Sequence, residues 1–317
     1  MPLDRRAERL LAMLAAARGE ADAPQPPAAR REALRALGAM ADDASAPAEL
    51  DDREIEGPAG RIPVRLYSPL VAGRRPGPAL VFFHGGGWVA GDLETHDGFC
   101  RRLCAASGWR LIAVDYRRAP EHPFPAALGD CLAATRWAAA HAAALGIDPA
   151  RLAVGGDSVG GGLAAAVTLA ARDGGDLQLA LLLLVCPILD VGSADGSRAA
   201  FGDGHFISRA AFARDLADYA PGVPADDPRL SPLRAASLAG LPPAVIHTAA
   251  FDPFRDEGEA FAAALARAGV PVHAHRHAGM IHYFYALGRA IPYANEAAAM
   301  MGDQMRELAA TGAPAAA

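Results

Sequence analysis

The sequence predicts an α/β fold, with one mostly parallel β-sheet and helices packed on both of its faces. From residue 79 onward, short apolar runs alternate with longer helical patterns, as expected when right-handed helical crossovers join parallel strands. The inner runs, such as Ala79–Phe83, are apolar at every position, which is typical of strands covered on both faces. With 317 residues, the chain is long enough for one large core and a small accessory part.

The individual elements are predicted from apolar periodicity and from the glycines and prolines that separate periodic segments. Residues 1–50 have a helical pattern that is interrupted by a proline-rich break at residues 24–27. The predicted strands that follow are Arg61–Tyr67, Ala79–Phe83, Arg110–Val114, Leu152–Val154, Leu179–Cys186, Ala244–Thr248 and Val272–Arg276. The predicted helices are Thr95–Ser107, Ala126–Leu145, Val159–Arg172, Asp256–Ala268 and Asn295–Leu308.

The alternation of strands and helices is broken between residues 190 and 240. This stretch is rich in Gly, Asp, Ser and Pro, and it contains one helical pattern at about Ser208–Tyr219. We expect residues 190–240 to be an insertion that forms, together with residues 1–50, a helical cap over the strand ends. Residues 51–189 and 241–317 would then form the domain that contains the sheet.

Charge and composition exclude several classes of function. The formal net charge of −6 offers no electrostatic footprint for nucleic acid, and no apolar run reaches the roughly 18 residues that span a bilayer. Every basic residue other than histidine is arginine, so chemistry that needs a lysine is excluded: Schiff bases, Ser–Lys dyads and P-loops. A serine nucleophile in this chain must therefore use histidine as its base.

The cysteines indicate a reducing, cytoplasmic compartment. Cys100, Cys104, Cys131 and Cys186 lie in apolar or helical surroundings without C-x-x-C spacing, so we expect small buried side chains. A metal shared by Cys100 and Cys104, four residues apart on a predicted helix, is the alternative.

The N-terminal apolar stretch Leu10–Ala17 has a faint likeness to a signal peptide. It is short, and Asp4 and Glu8 lie where such a peptide is basic. An amphipathic helix explains the pattern better, because one of its faces would carry Leu3, Leu10, Leu11 and Leu14.

The most informative motif is the sequence G-D-S-V-G at residues 156–160, which places Ser158 between a predicted strand and a small-residue helix. A tight strand-to-helix turn lifts a serine hydroxyl out of the packing, and its flanking residues must be small. The helix N-terminus behind the serine favours developing negative charge. Glycine-rich turns are common, so the assignment depends on the rest of the chain.

Other polar motifs follow predicted strands in the same way. The sequence H-G-G-G-W at residues 84–88 follows one strand, Asp252 follows another, and His282 follows the last. In open α/β sheets, sites lie beyond the carboxyl ends of the strands, so these groups and Ser158 should meet at one edge.

These residue types together suit nucleophilic catalysis. Ser158 needs a base with a pKa near neutrality, which His282 offers, and Asp252 would fix the tautomer of that histidine. A tetrahedral oxyanion needs amide donors at about 2.7–3.1 Å, each contributing roughly 3–4 kcal/mol. Gly86, Gly87 and Val159 can supply these donors.

Five motifs have the form of one family's signatures. They are HGGGW at 84–88, YRRAPEHPFPAAL at 116–128, GDSVGGGLA starting at Gly156, DPFRDEG at 252–258 and GMIH at 279–282. In these motifs the chain resembles the hormone-sensitive-lipase-like esterases of the α/β-hydrolase fold, also called bacterial family IV. The resemblance covers residues from about 60 to the end.

The resemblance implies a carboxylesterase with a triad of Ser158, Asp252 and His282. It also implies an eight-stranded, mainly parallel sheet, a helical cap, short to medium acyl chains, and a fold that permits a homodimer through the terminal strand. We expect a small-molecule ester as the substrate, with no cofactor and no metal. The oxyanion hole would use the loop glycines and the residue after the serine, Gly85, Gly86, Gly87 and Val159.

The chain departs from the family pattern at three positions without losing a catalytic group. Val159 replaces a common alanine and narrows the turn, Phe254 replaces leucine, and Tyr283 stands where glycine is common. The side chains expected to line the substrate pocket are Trp88, Phe206, Phe212 and Tyr283, while Tyr219 is a further candidate. Core packing is an equal alternative for the tryptophan, the two phenylalanines and Tyr219.

His84 and Asp157 are expected to support the site, His84 by orienting its loop and Asp157 by bracing the turn around Ser158. Asp256 is the alternative to Asp252 as the triad acid. Glu121 and His122 could form an acid–base pair, but we prefer to interpret them as residues with a structural packing role.

The histidines that alternate on the last predicted strand, His273, His275 and His277, have a spacing that could bind a metal. We interpret them as exposed residues of an edge strand.

The sequence thus predicts a serine carboxylesterase that forms an acyl-enzyme. One alternative is another acyl transfer in the same site, on amides, lactones or thioesters. The other is a ligand-binding module without catalysis.

Overall fold

The computed structural model describes residues 2–17, 25–42, 46, 48–70 and 76–311. The strands of the described chain are β1 (Glu49–Gly57), β2 (Gly60–Ser68), β3 (Gly77–Phe83), β4 (Arg110–Val114), β5 (Ile147–Asp157), β6 (Leu182–Val185), β7 (Ala244–Phe251) and β8 (Val272–Ile281). The helices are α1 (Arg5–Ala17), α2 (Pro27–Ala41), α3 (Asp97–Ser107), α4 (Ala126–Ala140), α5 (Val159–Gly174), α6 (Ser197–Phe201), α7 (Arg209–Tyr219), α8 (Arg255–Arg267) and α9 (Tyr293–Thr311).

These strands form one eight-stranded sheet in the order β1-β2-β4-β3-β5-β6-β7-β8. The strands from β4 to β8 in this order are parallel. At the other edge, β2 pairs antiparallel with β4, and β1 pairs antiparallel with β2. The predicted α/β class and mostly parallel sheet are therefore confirmed.

Alternate residues of the inner strands pack against different layers of helices. In β3, Val81 and Phe83 join a core that also contains buried residues of α4, α5 and α8. Leu80 and Phe82 join a second core with buried residues of α3 and α9. Both faces of the sheet are thus covered, which explains why the inner strands are apolar throughout.

Strand β1 was not predicted. It pairs with β2 along its whole length, from Glu49 opposite Ser68 to Gly57 opposite Gly60. Its sequence ELDDREIEG is mostly charged, and only Ile55 is buried. Charged edge strands lack the apolar alternation on which strand prediction depends, although the charges protect such an edge from further pairing.

The two N-terminal helices form as predicted, and α1 packs its apolar face on the sheet domain. Leu10 is buried, and three further leucines of the predicted face pack against the same core: Leu3, Leu11 and Leu14. The Asp4 amide donates to the Gly279 carbonyl at 2.9 Å, which joins the start of α1 to β8. No helix of the described chain is both long and apolar enough to cross a membrane.

The histidines of β8 are not the exposed set that the sequence suggested. His277 is fully buried, and its Nε2 atom lies 2.8 Å from Nδ1 of His247 on β7. Helix α9 completes the chain of contacts, with Tyr293 Oη 3.0 Å from His277 Nδ1 and Gln304 Oε1 3.0 Å from His247 Nε2. The expectation of exposure was wrong because α9 covers this face of β8, a packing that strand periodicity does not reveal.

Candidate active site

Three side chains at the ends of three strands form one hydrogen-bonded chain. Ser158 directly follows β5, Asp252 follows β7 and His282 follows β8. His282 Nε2 lies 3.0 Å from Ser158 Oγ, and His282 Nδ1 lies 2.8 Å from Asp252 Oδ2. All three residues are buried. With Nδ1 donating to the carboxylate, Nε2 is left to accept the serine proton, as a general base must.

Of the two candidate acids, Asp252 is the one that reaches His282. Its other oxygen, Oδ1, accepts from the Phe254 amide at 2.8 Å, which holds the carboxylate in place. Asp256 instead accepts from the Ser197 amide at 2.8 Å and pairs with Arg255. The alternative acid is therefore engaged elsewhere.

The turn that carries Ser158 has a strained backbone. Ser158 has φ 53° and ψ −123°, a region in which a non-glycine residue costs about 1–3 kcal/mol. A Cβ at Gly156 would overlap the backbone of Gly160, and a Cβ at Gly160 would overlap the Phe83 carbonyl. The two motif glycines are thus required by close contact inside the turn.

The loop after β3, residues 84–92, is called the glycine loop below. Gly86 and Gly87 have φ of +123° and +64°, conformations that favour glycine. Among the described residues, no hydrogen bond uses either of these two amides as donor. Val159 is the first residue of α5, where amides lack a partner within the helix. These three amides are available to an oxyanion.

Gly85 does not fit its predicted place among the oxyanion donors. Its amide donates to Asp157 Oδ1 at 2.9 Å and is therefore directed at a buried carboxylate. That prediction was wrong, because a run of glycines in a sequence does not reveal the direction of each amide.

Besides the Gly85 amide of the glycine loop, the Asp157 carboxylate contacts two side chains from other parts of the fold. Its Oδ2 accepts from the Tyr285 hydroxyl at 2.7 Å and lies 3.2 Å from His96 Nε2. Burial opposes ionisation, yet the charge and hydrogen bond of His96 and the hydroxyl of Tyr285 hold the pKa of Asp157 below its ordinary value. These contacts support the predicted bracing role.

His84 makes its contacts within the glycine loop and its surroundings. Its Nδ1 lies 2.8 Å from the Gly85 carbonyl, and its ring stacks on Tyr116 with centroids 4.2 Å apart. The Tyr116 hydroxyl donates to the His84 carbonyl at 2.6 Å. The geometry is that of a residue that orients the loop.

Two phenylalanine rings lie close to the ring of His282, and a third packs against one of them. Phe254 meets His282 edge-on with ring centroids 5.2 Å apart, and Phe206 lies 6.3 Å from the same ring. Phe212 lies 5.4 Å from Phe254. Phe206 and Phe212 are half-buried and can present surface to a substrate. Phe254 was noted only as a departure from a family pattern, and its contact with His282 has no sequence signal.

Trp88 and Tyr283 are packed as core residues, which is the alternative given for Trp88 and differs from the prediction that Tyr283 lines the pocket. They are only 3% and 4% exposed. Trp88 stacks on Tyr219 at 4.7 Å, and the Tyr283 hydroxyl donates to the Thr95 carbonyl at 3.1 Å. Both rings therefore support the walls of the site and offer a substrate little surface.

Helix α2 holds the glycine loop through contacts that the sequence did not predict. Arg31 donates from Nε to the Val89 carbonyl at 2.8 Å and from Nη2 to the Ala119 carbonyl at 3.0 Å. Arg35 pairs with Asp92 at 2.5 Å. The four-residue spacing of the two arginines places them on one helix face, but no sequence pattern identifies their partners.

Glu121 and His122 do not form an acid–base pair with each other. Glu121 is exposed and pairs with Arg31 at 2.6 Å. The Arg31 hydrogen bond lowers the pKa of Glu121 to about 2, so this side chain is a fixed anion at neutral pH. The contact of Glu121 with Arg31 supports a structural role for Glu121 and not an acid–base role.

Within the part of the chain that the structure describes, one trio of His, Cys, Asp or Glu residues has ligand atoms all within 4.8 Å of one another. The trio is Cys186, Asp252 and His282, of which the last two are hydrogen-bonded to each other. The β8 histidines do not form such a group.

Comparisons with known proteins identify the family of the chain. A family model of the alpha/beta hydrolase fold matches residues 80–286. The carboxylic ester hydrolase LipN of Mycobacterium tuberculosis is 46% identical over 236 residues, which cover 71% of this chain and 61% of LipN. Esterase LipI of the same organism is 41% identical over 249 residues, which cover 78% of this chain and 78% of LipI.

A solved structure is similar over nearly the whole chain. The ester hydrolase EH1AB1, from the metagenome of Lake Arreo and in complex with a bipyridine phosphonate derivative, has a TM-score of 0.92 and 39% identity. The match covers 98% of this chain and 100% of that one. The chain therefore belongs to the alpha/beta-hydrolase family, in its hormone-sensitive-lipase-like group of carboxylic ester hydrolases.

Proposed function

We propose that this chain hydrolyses carboxylic esters of short to medium acyl length through an acyl-enzyme on Ser158. The observation that carries the proposal is the unbroken line of contacts from Asp252 through His282 to Ser158, with separations of 2.8 and 3.0 Å. LipN, LipI and EH1AB1 are named as ester hydrolases, which supports the same reaction class here. The acyl range is inferred from the group to which the chain belongs.

In the first half of the reaction, His282 Nε2 takes the hydroxyl proton while Ser158 Oγ bonds to the ester carbonyl carbon. The negative charge passes to the carbonyl oxygen, where the amides of Gly86, Gly87 and Val159 stabilise it. Asp252 stabilises the imidazolium. His282 then donates the proton to the departing alkoxide, and an alcohol leaves.

In the second half, water attacks the acyl-enzyme by the same route. His282 takes a proton from the water, the second tetrahedral intermediate forms, and Ser158 is released when His282 returns the proton to Oγ. The products are an alcohol and a carboxylic acid, and the enzyme is regenerated.

The substitution Ser158→Ala tests the nucleophile. We expect kcat on p-nitrophenyl acetate to butyrate to fall by at least on the order of 10⁴-fold, because the covalent route is lost. Ser193→Ala, at a half-buried serine outside the site, should retain wild-type turnover. A mild loss in Ser158→Ala would contradict the assignment.

A serine-reactive phosphonate separates an enzyme from a binding module. A reactive serine should gain the phosphonyl mass at residue 158, whereas a pocket without catalysis should not react.

A substrate panel separates the competing acyl-transfer reactions. Esters, amides, lactones and thioesters with matched acyl groups would be compared by their kcat/KM, and we expect the ester to have the highest value.

Three further features are part of the proposal: a helical cap, a cytoplasmic location and a homodimer. Residues 1–50 and 190–240 would cover the strand ends as a cap on a domain of residues 51–189 and 241–317. The ion pair between Arg30 of α2 and Asp215 of α7 supports this arrangement, because it joins the two proposed cap segments. A cytoplasmic location is supported by four buried cysteines without a disulfide. A homodimer through β8 would appear as a doubled mass in sedimentation.

A further inference from the structure

We propose that Arg30 and Asp215 are positioning residues that hold the glycine loop in its oxyanion-binding form. They do so by joining helix α2 to helix α7 directly over Gly87. The inference rests on the proposed function, in which the Gly87 amide stabilises the oxyanion, so that a displaced Gly87 would slow the reaction.

The carboxylate of Asp215 contacts both the cap and the glycine loop. Its Oδ1 atom pairs with Arg30, a residue 185 positions earlier in the chain. Its Oδ2 atom lies against Gly87, so closely that a Cβ at this glycine would overlap the carboxylate. The ion pair therefore fixes a charged group directly against one of the proposed oxyanion donors.

Stability alone does not explain this carboxylate. Its side chain is only 14% exposed, and burial raises the pKa of Asp215 to about 7, although Arg30 opposes the shift. Desolvating an ion pair offsets most of its Coulomb attraction, so such pairs add little to the free energy of unfolding. An ion pair in this place instead fixes the position of α7 relative to α2, and with it the carboxylate that lies against Gly87.

The same helix also touches the aromatic neighbours of the triad. Phe212 lies on α7, three residues before Asp215, and its ring centroid is 5.4 Å from that of Phe254. Phe254 in turn lies 5.2 Å from the His282 ring. A shift of α7 would therefore disturb the glycine loop and the surroundings of His282 together.

The exposed carboxylate of Asp218 provides a matched control. It lies on α7 as well, 3.8 Å from Nη1 of the same Arg30, but it is 39% exposed. Besides Arg30, two charges of the same helix act on the pKa of Asp215: that of Asp218 raises it and that of Arg214 lowers it. Asp218→Asn thus removes the same charge from the same helix without touching Gly87.

Steady-state kinetics with p-nitrophenyl acetate provide the first test. For Arg30→Gln and Asp215→Asn we expect kcat to fall by about 10- to 100-fold with KM within about threefold, as for a misplaced catalytic group. The double variant should be no worse than the single variants, because both act through one contact. Arg30→Lys should recover part of the loss, and Asp218→Asn should stay within twofold of the wild type.

Hydrogen exchange gives a readout that does not depend on activity. In Arg30→Gln and Asp215→Asn, amides of residues 84–92 should exchange faster than in the wild type, while amides of α9 remain unchanged. An inactive wild-type protein would refute the proposed function and still leave this measurement decisive. Wild-type kcat and unchanged loop exchange in both variants, with only a lower melting temperature, would overturn the positioning role.

Discussion

Gly160 shows how a single hydrogen atom in place of a side chain determines whether the site can form. Its backbone lies so close to the Phe83 carbonyl that a Cβ would overlap the oxygen. The contact couples β3, which leads into the glycine loop, to the turn that carries Ser158. The glycine is needed for space, since its φ is not among the positive values.

Gly160→Ala should therefore lower the free energy of unfolding by about 1–3 kcal/mol, as overpacking does, and should reduce kcat as well. Gly129→Ala is the control. Gly129 lies inside α4, and a Cβ there would meet Pro58 Cγ at an ordinary contact distance of 3.7 Å. The control should be neutral or slightly stabilising by urea unfolding. Equal effects of the two substitutions would contradict the steric argument.

At the scale of elements, β7, β8 and α9 share a buried polar chain in which each ring nitrogen has a hydrogen-bond partner when both histidines are neutral. Tyr293 can donate to His277 Nδ1, His277 Nε2 to His247 Nδ1, and His247 Nε2 to Gln304 Oε1. Burial lowers the pKa of His247 to about 3 and that of His277 to about 2. A proton added to His247 would place N–H groups of the two rings face to face, and a proton added to His277 would force the Tyr293 hydroxyl to accept where it now donates.

These lowered pKa values predict acid lability. The unfolded chain binds protons at each histidine below about pH 6.5, whereas the folded chain does so only near pH 2–3, so stability is lost as the pH falls from 6.5. The slope approaches about 1.4 kcal/mol per pH unit for each histidine. Urea unfolding of wild type and His277→Gln between pH 7.5 and 4.5 should show a shallower acid loss in the variant. Parallel curves would contradict the prediction.

The elements also show how far periodicity carries. The four strands that end directly before His84, Ser158, Asp252 and His282 were predicted, but β5, β7 and β8 continue past their predicted ends to Asp157, Phe251 and Ile281. The inner strands were recognised because buried parallel strands are apolar throughout. The charged strand β1 and the short helix α6 were not predicted, because neither has an apolar repeat that is long enough to distinguish a strand or a helix from a loop.

At the scale of the whole molecule, all four cysteines are buried and none forms a disulfide. Burial raises the pKa of the Cys100, Cys131 and Cys186 thiols well above the ordinary value and that of Cys104 to about 12. Both effects suppress the reactive thiolate. The thiols are thus protected by the complete fold and by no single element.

Ellman's reagent should accordingly find no rapidly reacting thiol in the native protein at pH 8 and four after unfolding in guanidinium chloride. The time course measured at 412 nm gives the number directly. Fast reaction of one or more thiols in the native state would mean that a cysteine is more accessible than its packing indicates.

The amino-acid sequence by itself determined the sheet class and singled out Ser158, Asp252 and His282 as candidates, because strand ends and motif glycines are local properties of the chain. Tertiary structure alone decided which amides remain available, since Gly85 is turned to Asp157 and Gly86 is not. It also decided that Trp88 and Tyr283 pack in the walls and that Asp215 meets Arg30 over Gly87. Such contacts join residues far apart in the chain, and their direction depends on how whole layers pack, which no local pattern encodes.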